Sequence, residues 1–165
     1  MRVLGVDPGT AITGYGLVES RDGELSVLDF GTITTPAGQP LTSRLQTIYR
    51  ELSDILARYH PTEAVVEKLF FSQNVRTAMS VGQARGVTLL ALADADLTVH
   101  EYTPLEVKQA VVGYGRATKK QIQEMVRILL GLDSIPQPDD AADALAVAIC
   151  HIHSARFTDL IRDQA

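Results

Sequence analysis

Residues 2–10 of the chain read RVLGVDPGT, a short apolar strand that ends in an acid and is followed at once by a turn. The pattern returns at Ala64–Val66, an unbroken apolar run that ends in Glu67. Such runs are typical of central strands covered on both faces. If the two strands are parallel neighbours, ~4.8 Å apart, Asp7 and Glu67 meet at the carboxyl edge of one sheet.

The rest of the chain predicts a mixed α/β domain around these two strands. Alternating apolar segments separated by turn residues predict three strands, at 2–6, 13–18 and 25–34, which form an antiparallel meander. Apolar periodicity then predicts a helix from Leu41 to Leu56, the strand 64–66, a helix at 74–93, a strand at 97–102, helices at 104–112 and 118–130, and a last helix from Asp139 or Asp140 to about Ser154. We therefore expect one domain over residues 1–156, with helices on both faces of the sheet, and a short C-terminal tail at 157–165.

Composition limits the class of protein. The chain has 165 residues, 45% of them apolar, which suits one folded domain and argues against disorder. A single cysteine, Cys150, excludes an internal disulfide, and no secretory signal or membrane-spanning segment is recognisable, so we expect a soluble, cytoplasmic protein. The net charge of −5 by itself argues against a nucleic-acid partner.

A third group of acids lies at the start of the predicted last helix. Asp139 and Asp140 are followed by two alanines and Asp143, so that Asp140 and Asp143 are three residues apart on one helix face. If this end of the helix packs against the sheet edge, four oxygen-rich side chains meet there. Such ligands suit Mg²⁺ or Mn²⁺ and disfavour zinc, and two such ions together are a known arrangement for phosphodiester cleavage.

Each acid also has an ordinary structural interpretation. Asp7 before Pro-Gly fits a turn, Glu67 fits a solvated strand end, and Asp139 or Asp140 fits a helix N-cap. The combination of two strand-end acids with a helix-start pair favours a metal site. His151 and His153 face opposite sides of a helix, cannot easily ligate one ion together, and are interpreted as structural or surface residues.

Six ordered blocks between residue 1 and about residue 156 resemble a known family. They are GVDPGT at 5–10 with TGYG at 13–16, Val66-Glu67 with Phe70, GQARG at 82–86, Val107-Lys108, Val112-Gly113, and DAADALA at 140–146. Together they are similar to the RuvC-type crossover junction endodeoxyribonucleases.

The resemblance implies a ribonuclease H-like fold, with a five-stranded mixed sheet of three antiparallel strands followed by parallel ones. It also implies a homodimer that nicks two strands of a four-way (Holliday) DNA junction symmetrically, as in recombination and repair, together with a branch-migration complex of the RuvA-RuvB type. The implied catalytic metal ligands are Asp7, Glu67, Asp140 and Asp143, with Mg²⁺ or Mn²⁺ and two ions per active site. Some relatives carry histidine at the place of Asp140.

Candidate DNA contacts lie in the segment 68–127, which has a net charge of +3 within the acidic chain. By the resemblance, Lys108 and Lys119 map to basic residues near the active site, and Phe70 maps to a base-contacting aromatic, for which core packing is the alternative. Arg76 is a candidate phosphate or dimer contact. Arg85 and the basic loop 113–120 lie in the same segment and are also candidate DNA contacts.

Small residues recur every four positions in the helix 74–93, at Ala78, Gly82 and Gly86. Glycine in a helix costs up to about 1 kcal/mol relative to alanine, so a close approach by another helix is expected to offset it. The partner is either the second subunit of a dimer, which we favour, or the chain's own sheet.

Other functions remain open at this point. Asp7 with Gly9-Thr10 also resembles the first phosphate loop of an actin-like nucleotide-binding domain, which needs a much longer chain. A related nuclease acting on structured RNA and a non-catalytic junction-binding module are further alternatives. The intact set of acids argues against the last of these.

Overall fold

A computed structural model describes residues 1–68 and 75–162, and only the backbone of residues 75–77 and 159–162. Its strands are β1 (Arg2–Asp7), β2 (Ile12–Arg21), β3 (Glu24–Thr34), β4 (Glu63–Glu67) and β5 (Thr98–Tyr102). Its helices are α1 (Leu41–Tyr59), α2 (Val75–Asp94), α3 (Pro104–Val112), α4 (Lys119–Leu129) and α5 (Asp139–Arg162). The predicted order of elements is confirmed.

The five strands form one mixed sheet in the order β3-β2-β1-β4-β5. The first three are antiparallel, whereas β1 and β4 are parallel neighbours and β5 runs parallel to β4. The register pairs Val6 with Val66, so the next residues, Asp7 and Glu67, lie side by side at the carboxyl edge. The predicted adjacency of these two acids is therefore confirmed.

Helices cover the sheet on both faces. Alternate residues of β1 divide between two cores, with Val3 facing α5 and its neighbours and Leu4 facing α1 and α2. Asp7 follows Val3 and Gly5 on the α5 face, which is where the acids of that helix lie.

Three glycines allow α5 to lie directly on the sheet. A Cβ atom at Gly5 would overlap the carbonyl oxygen of Ala144, and one at Gly14 would overlap that of Asp140. Gly16 similarly makes room for Leu145. The first turns of α5 are therefore fixed against β1 and β2 by backbone contact rather than by long side chains.

The structure extends α5 well beyond the predicted end near Ser154. No glycine or proline follows to stop the helix, and the hydroxyl of Thr158 donates to the carbonyl of Ser154 within it. β2 and β3 are also longer than predicted and meet at a tight turn in which Asp22 and Gly23 both have positive φ. Across the described residues, no helix has the length and apolar character needed to cross a bilayer.

Candidate active site

Asp7 is the centre of the acidic group. Burial is the main cause that raises the pKa of its carboxyl from 3.8 to about 7, and repulsion by Asp143, Glu67 and Asp140 raises it further, in that order. Burial and repulsion by Asp143 also raise the pKa of Glu67. The strand ends and the helix therefore bring all four predicted acids into one electrostatic group.

The helix α5 contributes its two acids from successive turns. Asp140 and Asp143 lie on the face that meets the sheet edge, because Gly14 pairs with Asp7 in the β1–β2 register and Gly14 also contacts the Asp140 backbone. Burial raises the pKa of Asp143, although a hydrogen bond from Lys119 opposes the shift. The small residues Ala141 and Ala142 fill the space beneath this turn.

Lys119 is the cation that partly balances these charges. It is the first residue of α4, whose start is fixed by a capping box between Thr118 and Gln121. Its Nζ atom lies 2.9 Å from Oδ2 of Asp143 and 3.2 Å from Oδ2 of Asp139. Partial burial lowers the pKa of Lys119, but hydrogen bonds with these two acids raise it, and the net shift is upward.

Asp139 occupies a different position from Asp140. Its Oδ1 accepts a hydrogen bond of 3.0 Å from Gln123, and hydrogen bonds from Lys119 and Gln123 lower its pKa. Asp139 therefore helps to hold Lys119 at the rim, whereas Asp140 acts electrostatically on Asp7.

A pocket of about 200 Å³ opens between α3, α4 and α5, and Glu67, Asp143, Lys108 and Lys119 lie along its wall. Asp140 faces a separate depression beside the turn after β1. The predicted lysines Lys108 and Lys119 thus lie next to the acids. The pocket therefore offers both ammonium groups and carboxylates to a bound phosphate and its cations.

The donor set suits a hard divalent cation. All four side chains offer carboxylate oxygens, and burial together with repulsion by the other three acids raises the pKa of Asp7, so positive charge between them would be stabilising. The oxygens of no three of these acids lie within 4.8 Å of one another in this structure, so the group is open rather than closed around one point.

Two of the predicted DNA contacts lie outside the described residues. Phe70 falls in the segment 69–74, and Arg76 belongs to α2 at a position where only the backbone is described. Both therefore remain predictions.

The structure gives Arg85 a role that the sequence did not predict. Its Nη1 donates a hydrogen bond of 2.7 Å to the main-chain carbonyl of Glu67, and its Nη2 pairs with Glu101. With 13% of its side chain exposed, Arg85 supports the end of β4 rather than lying open to DNA.

The turn after β1 has a similar support. The hydroxyl of Thr10 donates to the carbonyl of Ser80 at 2.6 Å, and the Ser80 hydroxyl donates back to Thr10 at 2.7 Å. No local pattern links these residues, because they are 70 positions apart in the chain.

The raised pKa of Asp7 predicts a pH-dependent effect in metal-free protein. Because the folded state binds the Asp7 proton more tightly than the unfolded state, its contribution to stability is lost as pH rises from about 4 through 7. The shift corresponds to roughly 4 kcal/mol. We expect Asp7→Asn to stabilise the chain by up to this amount at pH 8 and hardly at all at pH 4, measured by urea unfolding with a chelator present.

The exposed acid Asp22 supplies the control, since its positive φ is compatible with asparagine. Asp22→Asn should change stability equally at both pH values. A destabilised Asp7→Asn protein at pH 8 would contradict the raised pKa of Asp7.

Comparisons with known proteins agree with this geometry. The family model for crossover junction endodeoxyribonuclease RuvC matches residues 3–151. A RuvC of Heliobacterium modesticaldum is 62% identical over 154 residues, covering 93% of this chain and 95% of that protein. A RuvC of Chloroflexus aurantiacus is 61% identical over 155 residues, covering 94% of each. The solved structure of Thermus thermophilus RuvC in complex with a Holliday junction substrate has a TM-score of 0.92 at 36% identity, covering 96% of each chain.

A mixed five-stranded sheet with acids at the ends of two neighbouring parallel strands, and more acids on the facing helix, defines the class of ribonuclease H-like nucleases. Within that class, the chain belongs to the RuvC family of crossover junction endodeoxyribonucleases. The predicted fold and the predicted family are confirmed. Neither the RNA nuclease nor the actin-like alternative is favoured by these relatives.

Proposed function

We propose that the chain resolves four-way DNA junctions by metal-dependent hydrolysis of phosphodiester bonds at symmetric positions in two strands. The observation that carries the proposal is the group of four carboxylates at one sheet edge in a member of the RuvC family. The T. thermophilus relative, solved with a Holliday junction substrate, supports the choice of DNA structure.

Asp7, Glu67, Asp140 and Asp143 would hold two ions of Mg²⁺ or Mn²⁺. When bound, such ions activate a water molecule and stabilise charge on the departing 3′ oxygen. Asp7 would serve both ions, because it interacts with Glu67 from the neighbouring strand and with both acids of α5.

Lys108 and Lys119 would bind the non-bridging oxygens of the phosphate. Both line the pocket that contains Glu67 and Asp143, so a phosphate there would be within reach of their ammonium groups. An ammonium carries three donors, and Asp139 and Asp143 use two of those of Lys119. Phe70 would stack on an unpaired base, and Arg76 would contact phosphate or the second subunit.

We also propose that α2 forms the interface of a homodimer. Met79 and Leu90 are 63% and 54% exposed, and Gly82 and Gly86 lie between them on the same side of the helix. A Cβ atom at either glycine would meet nothing within 4 Å. Packing on the chain's own sheet therefore does not require these glycines, which favours an approaching partner helix.

Leu90→Glu tests this interface. A charge in an apolar helix pair is costly, so we expect the variant to sediment as a monomer at concentrations where the wild type is a dimer. Ile128→Glu on α4 is the matched control, because Ile128 is also 54% exposed and lies on a different surface. A wild-type monomer, or a Leu90→Glu dimer as tight as the wild type, would contradict the proposal.

The function is tested by offering three substrates to the purified protein: a synthetic four-way junction, linear duplex of the same sequence, and structured RNA. We expect cleavage of the junction alone, and only with Mg²⁺ or Mn²⁺. Equal cleavage of junction and duplex would overturn the proposed specificity. Preferred cleavage of RNA would support the alternative function, a related nuclease that acts on structured RNA. A branch-migration complex as partner is a separate expectation that pull-down with such a complex would test.

A further inference from the structure

Two histidines and a glutamate meet at the end of β4 opposite to Glu67. Glu63 is the first residue of β4, His100 lies on the neighbouring strand β5, and His151 lies on α5. One ligand atom from each of the three lies within 4.8 Å of the others. The cluster is therefore built from three elements that are distant in sequence, and it is separate from the four catalytic acids.

Both histidines approach the same carboxylate oxygen. Oε2 of Glu63 is 2.7 Å from Nε2 of His151 and 2.9 Å from Nε2 of His100, and the two imidazole rings stack with centroids 4.2 Å apart. The His100 contact is short but is not a hydrogen bond, and this buried nitrogen has no hydrogen-bond partner among the residues that the structure describes. A buried ring nitrogen beside a carboxylate oxygen is stabilised when the two share a proton or a metal ion.

Tyr102 provides the outer support that metal-bound histidines usually have. Its hydroxyl lies 3.0 Å from Nδ1 of His151, which fixes the ring and directs Nε2 towards Glu63. His151 is 3% exposed, so its ring is enclosed by the surrounding side chains.

We propose that Glu63, His100 and His151 form a binding site for Zn²⁺ or a similar divalent transition metal. Two imidazole nitrogens and one carboxylate oxygen form a ligand set that is known to bind Zn²⁺, in contrast to the all-oxygen set around Asp7. The side chains of His100 and Glu63 are 35% and 27% exposed, so solvent can reach the site and supply a fourth ligand.

The ion would act as a structural cross-link. Among the described strands, β5 is an edge strand of five residues whose one neighbour is β4, and the site would tie both strands to α5. Metal–ligand distances of about 2.0–2.2 Å place ligands roughly 3.3 Å apart in a tetrahedron. Binding of the ion would therefore require Oε2 of Glu63 to move away from the present distances of 2.7 Å to Nε2 of His151 and 2.9 Å to Nε2 of His100.

The site is tested by titrating Zn²⁺ into metal-free, full-length protein with excess Mg²⁺ present to occupy the catalytic acids, using calorimetry and thermal unfolding. We expect one Zn²⁺ per chain with a rise in Tm, and at least a tenfold weaker binding in His100→Gln and Glu63→Gln. Co²⁺ should give the absorption of a nitrogen- and oxygen-bound ion, lost in the same variants.

His60→Asn is the matched control, because His60 is an exposed histidine in a left-handed conformation that asparagine tolerates. It should bind Zn²⁺ like the wild type. His100 is partly exposed, so its variant should fold even if a His151 variant does not. Absence of stoichiometric Zn²⁺ binding, or equal binding by wild type and His100→Gln, would overturn the proposal. The contacts among the three side chains would then be explained by a shared proton instead of a metal ion.

Discussion

Replacing Asp7 by asparagine should lower junction cleavage at least about 10³-fold while leaving junction binding nearly unchanged. The reason is that Asp7 interacts with Glu67, Asp140 and Asp143, so it is the one carboxylate placed to serve every part of the proposed metal site. The side-chain volume is retained, and the lost negative charge removes repulsion instead of creating it. Cleavage and gel-shift assays on the same junction measure the two effects separately.

Asp22→Asn removes the same charge from an exposed turn and should leave both cleavage and binding at wild-type values. Loss of folding in Asp7→Asn, or cleavage within tenfold of the wild type, would contradict the central role of Asp7.

Gly14→Ala is expected to have the second largest effect. The new methyl group would overlap the main-chain carbonyl of Asp140, and backbone cannot move aside as a flexible side chain can. Overpacking of this kind costs about 1–3 kcal/mol of folding free energy. It should also shift the first turn of α5 and reduce cleavage at least about tenfold, since misplacing reactive groups by about 1 Å costs up to 100-fold.

Gly38→Ala is the control, because a Cβ atom there would meet nothing within 4 Å. Its stability and cleavage should match the wild type. If Gly14→Ala were as stable and as active as Gly38→Ala, the close backbone contact between β2 and α5 would not be what positions Asp140.

The sequence predicted the parts of the site that depend on local pattern. An apolar run that ends in an acid marks a buried strand and its carboxyl end, and the spacing of Asp140 and Asp143 marks one face of a helix. Local pattern could not show that β1 and β4 are neighbours, so the meeting of the two acids was predicted only on that condition. The register of Val6 with Val66 confirms this adjacency.

Contacts between distant residues were missed for a physical reason: periodicity shows which face a residue occupies but not what lies opposite. Arg85 was counted among the DNA-binding charges because its partners, the carbonyl of Glu67 and the carboxylate of Glu101, lie on other elements. His151 was compared only with His153, whereas its actual neighbour is His100 on β5.

The net charge of −5 argued against a nucleic-acid partner because it adds together an acidic group and the basic side chains that lie beside it. Four of the negative charges belong to the acidic group around Asp7, and Lys108 and Lys119 lie directly beside it. DNA binding through these lysines should weaken as salt is raised.

The most direct measurement maps the nicks that the wild-type protein makes in a four-way junction whose strands are labelled one at a time. We expect paired nicks at symmetry-related positions in two opposing strands, formed with Mg²⁺ or Mn²⁺ and absent with a chelator or in Asp7→Asn. Cleavage that persists in the chelator, or that falls equally on all four strands and on linear duplex, would contradict the proposed function.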